Sequence, residues 1–134
     1  MFLNYLKDES KENFLKLSMA AANANRIIEE EKQMVLAYCK ELGVKEIIPS
    51  EKIDIDKVLS ELKEKTNKEE KKVIVFEILG LMYSDGEYDE VERNFIDNLI
   101  NEFEITNEEL NRIEELLNQY SELYKKIVLE IFNK

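Results

Sequence analysis

The sequence contains no histidine and no tryptophan, one cysteine, one proline and three glycines. Each scarcity excludes something. Without histidine there is no Ser-His or Cys-His pair, no imidazole ligand for zinc and no side chain that ordinarily titrates near neutrality. A single cysteine, Cys39, forbids an intramolecular disulfide. It falls in the apolar pattern of an expected helix and reads as a buried, inert thiol. So few glycines and prolines argue against a turn-rich β fold, and the abundance of Leu, Ile, Glu, Lys and Asn favours long helices. That same bias suggests an AT-rich bacterial genome. The longest apolar runs are too short to span a bilayer, and the opening stretch from Met1 to Asp8 lacks the basic region and long apolar core of a signal peptide. The cytoplasm is the expected compartment.

What the chain has in excess is negative charge: 30 acidic against 19 basic residues, a formal net charge of −11. Such a surface repels phosphate backbones and anionic membranes, so nucleic acid is not an expected partner. Cations and basic proteins fit it better. At 134 residues the chain matches one domain, with enough surface to bury for a core that needs no staples.

The apolar spacing reads as helices throughout. Phe2, Leu3 and Leu6 mark a short amphipathic turn. A largely buried helix is expected from about Glu12 to Ala24, and another from about Ile28 to Leu42, where Met34, Val35, Tyr38, Cys39 and Leu42 recur at helical spacing before Gly43. Pro49 sits in a loop. Asp54 is placed to cap a helix from Ile55 to Lys65 with Val58, Leu59 and Leu62 inward. Asn67 and Glu70 form an Asn-x-x-Glu capping pattern ahead of a central helix that runs to Tyr83. Val73 to Phe76 alone would pass for a buried strand, but the cap before it and the length of the run favour helix. Asp89 with Glu92, and Thr106 with Glu109, are two further capping boxes, and Ser121 is placed to cap a last helix. The tyrosines are expected mostly in the core or at its edge. The result is an all-α, single-domain bundle of about six to eight helices over residues 1–134.

Sliding the chain on itself by 62 residues sets Phe14 on Phe76, Leu17 on Leu79, Ser18 on Gly80 and Met19 on Leu81. After a one-residue adjustment Tyr38 and Cys39 meet Leu99 and Ile100. Residues 12–43 and 74–105 therefore read as two pseudo-repeated helix pairs, and the small Ser18 and Gly80 would allow a close crossing of the two buried helices.

The richest segment is Ser84-Asp85-Gly86-Glu87-Tyr88-Asp89-Glu90-Val91-Glu92-Arg93, with five carboxylates in ten residues at a helix-to-helix turn. Hard divalent cations need oxygen ligands at such a density. Asp85, Gly86 and Glu92 match the fifth, sixth and twelfth positions of an EF-hand loop, but Leu81 and Tyr83 stand where its first ligands belong. A standard calcium loop is not expected. Capping by Asp89 and Glu92, and acidic residues facing a helix N-terminus, explain part of the same segment without a ligand.

A buried helix ending in a small residue and Asp-Gly-Glu-hydrophobic-Asp, followed by Glu-Arg and an amphipathic helix, resembles the turn of the TerB-like superfamily of tellurite-resistance proteins. The resemblance covers about residues 12 to 132, and its sharp motif is Ser84 to Arg93. It implies an all-helical fold of duplicated helix pairs, a link to tellurite resistance and bacterial stress responses, and a divalent-cation role for the acidic cluster. Asp85, Glu87, Asp89 and Glu92 are the metal ligands it implies, with calcium, manganese or magnesium as the cation. The first half departs from the pattern, since Ala22-Asn23-Ala24-Asn25 replaces an acidic turn. Asn23 and Asn25 bring carbonyl oxygens but no charge, so this half should contribute weakly.

The function expected on this reading is a non-enzymatic module that works through protein contacts, with weak cation binding, on the order of 10⁻⁴–10⁻³ M unless the first repeat contributes ligands. An acidic decoy or inhibitor that binds a basic partner is the alternative from a different class. A carboxylate-metal enzyme would need an open coordination position facing a cleft.

Overall fold

The computed structural model describes residues 2–22, 36–41, 54–83 and 90–132. All regular structure among them is helical. A 3-10 turn spans Leu3–Tyr5, and α1 spans Asp8–Ala22. Residues 36–41 belong to a second helix, α2. Then come α3 (Ile55–Lys65), α4 (Lys68–Met82), α5 (Glu90–Glu102) and α6 (Asn107–Phe132). Val73 to Phe76 lies inside α4, so the local strand-like pattern yields to helix.

The caps explain why these helices start where they do. The Asp54 carboxylate accepts the Lys57 amide at 3.2 Å and opens α3 at the expected residue. Asn67 accepts from the Glu70 amide at 2.8 Å while Glu70 accepts from the Asn67 amide at 3.3 Å, a reciprocal box that satisfies two donors at the start of α4. Thr106 and Glu109 repeat that arrangement at 3.1 Å in each direction before α6. By contrast α1 begins at Asp8, four residues ahead of the expected Glu12, with Asp8 and Glu9 in its first turn. Acidic residues there face the positive end of the helix dipole.

Helix α4 lies at the centre, against α1, α5, α6 and the 3-10 turn, while α1 and α5 both pack on α3. Ile74, Val75, Ile78, Leu79, Leu81 and Met82 are all buried, as suits a helix enclosed on most sides. Phe14, Leu17, Leu62, Ile96 and Leu99 complete the core, and Phe14 meets the Tyr38 ring edge-on at 5.3 Å between centroids. Cys39 is fully buried, as expected.

Equivalent positions of the two helix pairs share burial at Leu17 and Leu79, Met19 and Leu81, Tyr38 and Leu99, and Cys39 and Ile100. They part at Phe14, which is buried, and Phe76, which is half-buried. The close crossing expected of Ser18 and Gly80 does not occur. A Cβ added at Gly80 would meet no atom within 4 Å, and Ser18 turns its hydroxyl to the Leu15 carbonyl at 2.8 Å.

Two further expectations fail. Ser121 caps nothing: α6 runs through it as one helix of 26 residues. Of the described tyrosines, Tyr5, Tyr120 and Tyr124 are exposed rather than core. Only Leu110 and Leu117 of α6 are buried, and its last three turns carry apolar side chains into solvent.

Candidate functional site

The acidic turn lies between the end of α4 and the start of α5. Asp85, Glu87 and Asp89 are outside the described residues, as are Asn23 and Asn25. Glu92 is the one expected ligand within them. It sits in the first turn of α5 with 4% of its surface exposed. A carboxylate so buried is turned toward the protein and not toward bulk water. Calcium takes six to eight oxygens, so Glu92 alone makes no coordination sphere. Among the described residues no three Asp, Glu, Cys or His side chains converge in a way that would hold a metal.

Tyr83 closes α4 beside this turn, and its hydroxyl lies 3.4 Å from a Glu114 carboxylate oxygen on α6. Partial burial, and then the Glu114 charge, raise the phenol above its ordinary pKa. Both effects keep Tyr83 protonated and donating.

The most constrained carboxylates lie elsewhere. Glu70 and Glu77, on α4, are almost fully buried. Glu77 accepts the backbone N–H of Phe2 at 2.9 Å, Glu41 accepts that of Leu3 at 3.3 Å, and Glu70 accepts that of Lys7 at 3.4 Å. Leu3 and Leu6 are buried beneath them, and the Phe2 ring stands edge-on to Phe76 at 5.6 Å. The first residues therefore dock on their own bundle, with N–H groups that would otherwise be orphaned placed on acidic side chains. Glu77 also supplies its backbone carbonyl to the Tyr38 hydroxyl at 2.8 Å. Burial, followed by the Glu77 and Glu41 charges, pushes that phenol well above its usual range. The sequence carries one sign of this arrangement, Glu77 as the only charge of α4 after Lys72, and none of what would meet it.

A second charged cluster joins α4 to α6. Lys68 and Lys72, one turn apart, reach Glu109 at 3.3 and 3.2 Å. The Thr106 amide and both ammonium groups hold the Glu109 carboxyl down to about 2. Its geometry is that of a clamp between helices, at the very residue that also completes the cap of α6.

This is a helical, acidic domain whose buried carboxylates organise its own chain. The family profile of tellurite resistance protein TerB matches residues 14–115. Among solved structures, a tellurite resistance protein from Nostoc punctiforme is similar, with a TM-score of 0.72 and 19% identity over 96% of this chain and 84% of that one. No curated protein matches the chain. The chain belongs to the TerB family, and the structural likeness places the same fold on nearly its whole length. No described helix is long and apolar enough to cross a membrane.

Proposed function

We propose that this TerB-family domain is a non-catalytic, cytoplasmic module of a tellurite-resistance or related stress response, acting through protein contacts. The observation that carries the reading is the apolar surface of α6: Leu116, Leu123, Tyr124, Ile127 and Ile131 are each about half exposed or more, on a chain with ample charge to cover them. Contiguous apolar surface of this kind marks interaction sites. Deleting the gene should lower tellurite tolerance of the host, and a copy carrying Leu123→Glu and Ile127→Glu should fail to restore it. Full restoration by that variant would overturn the contact reading.

The same reading includes weak divalent-cation binding at the turn from Asp85 to Glu92. Its support is the carboxylate density of that turn and the inward burial of Glu92. Calcium, manganese, magnesium and zinc titrated into metal-free protein should give heat and a rise in melting temperature for at least one hard cation. Silence at millimolar metal would remove the cation from the proposal.

A further inference from the structure

Beside the row of α6 that supplies Leu110 and Leu117 to the core runs a second apolar stripe, and it continues past the core. Ile113, Leu116, Tyr120, Leu123 and Ile127 recur at alternating spacings of three and four, the seam of a two-stranded coiled coil. Tyr124 and Ile131 widen the seam on one side, and the Tyr120 and Tyr124 rings lie 6.3 Å apart along it. From Leu116 onward the seam is 41% to 65% exposed, residue by residue. The six exposed side chains of the widened seam, Leu116, Tyr120, Leu123, Tyr124, Ile127 and Ile131, present on the order of 700 Å², close to what one partner contributes to a standard interface.

The charges along the seam are arranged for a second copy of the same helix. Between Leu116 and Phe132 the charged residues are Glu122, Lys125, Lys126 and Glu130, which balance on a chain that carries −11 overall. Acidic Glu114 and Glu115 precede the seam's centre, and Lys125 and Lys126 follow it. An antiparallel pair centred between Tyr120 and Leu123 sets Tyr120 of each copy on Leu123 of the other, and Leu116 on Ile127. In that register Lys126 lies nearly level with Glu115 of the second copy on the same flank of the pair, within reach of long side chains, and Glu130 lies level with Arg112. A parallel pair would set lysines against lysines and drive the two bundles into each other at one end. Antiparallel pairing sends the bundles to opposite ends.

We infer that the exposed half of α6 is a self-complementary interface, through which two copies of this chain pair antiparallel. The inference rests on the contact reading above and names the partner. Light scattering and sedimentation equilibrium on the full chain should show a dimer with a dissociation constant on the order of 1–10 μM. Leu123→Glu with Ile127→Glu should give a monomer with unchanged helical circular dichroism, because both side chains are exposed. Lys126→Glu should weaken the dimer about tenfold, and adding Glu115→Lys should restore it, since opposite charges then face each other again. A chain that remains monomeric at about 100 μM, or a dimer indifferent to Leu123→Glu with Ile127→Glu, overturns the inference. The tolerance assay separates the two proposals. A monomeric chain whose Leu123→Glu, Ile127→Glu variant still loses tolerance refutes only the second copy as partner, and a monomeric chain whose variant keeps tolerance refutes both.

Discussion

The backbone N–H of Phe2 donates to the carboxylate of Glu77 at 2.9 Å, across 75 positions of sequence. Glu77 is almost buried, so the bond forms where water competes little. Glu77→Ala should lower the unfolding free energy by about 1.5–3 kcal/mol, the range for a hydrogen bond to a charged group. Glu77→Gln should cost less, because its amide oxygen still accepts. Urea unfolding gives the magnitude. Faster hydrogen exchange at the Phe2 and Leu3 amides in the alanine variant gives the location, and unchanged exchange there would show that the carboxylate does not hold the segment.

Glu104 carries the one positive φ among the described non-glycine residues, 56°. The bonds around it define the end of α5: Ile105 N–H to the Ile100 carbonyl at 2.9 Å and Glu104 N–H to the Asn101 carbonyl at 3.3 Å. That is a Schellman motif, with Ile100 and Ile105 both buried at its ends. Glycine normally fills this position because a Cβ there costs about 1–2 kcal/mol. Glu104→Gly should therefore raise stability by about 0.5–1 kcal/mol, once the freedom glycine gains in the unfolded chain is subtracted. Thermal unfolding decides the sign.

Glu109 links pH to stability. Its carboxyl titrates at about 2 in the folded protein, below its ordinary 4.5. Between those values the unfolded chain takes up a proton that the folded chain does not, so acid favours unfolding. The contribution is complete above pH 4.5 and is lost as pH falls toward 2. Wild type should exceed Glu109→Gln in stability at neutral pH, and the gap should narrow through that window and close near pH 2. Lys68 and Lys72 are about half exposed, so salt should shrink the gap as well.

Ser121 and Thr106 make a matched pair. Thr106→Ala removes a working N-cap and should cost about 1 kcal/mol. Ser121→Ala, in mid-helix, should stabilise by a few tenths of a kcal/mol through helix propensity. A loss at Ser121 equal to that at Thr106 would restore the two-helix reading of this stretch.

Those two residues also show what sequence could and could not reveal. Capping is local: Asp54, the Asn67–Glu70 pair and the Thr106–Glu109 pair each carry their partner within three residues, and α3, α4 and α6 begin as expected from them. Ser121 has no acidic residue three positions on, since Tyr124 stands there, and Leu116, Leu117 and Gln119 before it are good helix formers. Nothing nearby stops the helix. Glu104 gave no warning, because the left-handed end of α5 is imposed by the packing of Ile100 and Ile105 and not by a glycine. Glu77 was visible as an isolated charge, but its donor comes from the opposite end of the chain. In the acidic turn Glu92 is the one expected ligand whose burial is described, and the other five expected ligands lie outside the described residues.

The docking of the first residues has a consequence for synthesis. Phe2 emerges from the ribosome 75 positions ahead of Glu77; at roughly 5–20 residues per second the wait until Glu77 also emerges is about 4–15 s. During that interval Leu3 and Leu6 have no α4 to cover them, and α1 lacks the neighbour that encloses it. The nascent chain thus exposes Leu3 and Leu6 until α4 has emerged. A ribosome stalled before α4 has cleared its exit tunnel would present a sticky, protease-sensitive fragment, whereas one stalled after α4 has cleared it would carry a chain able to cover Leu3 and Leu6.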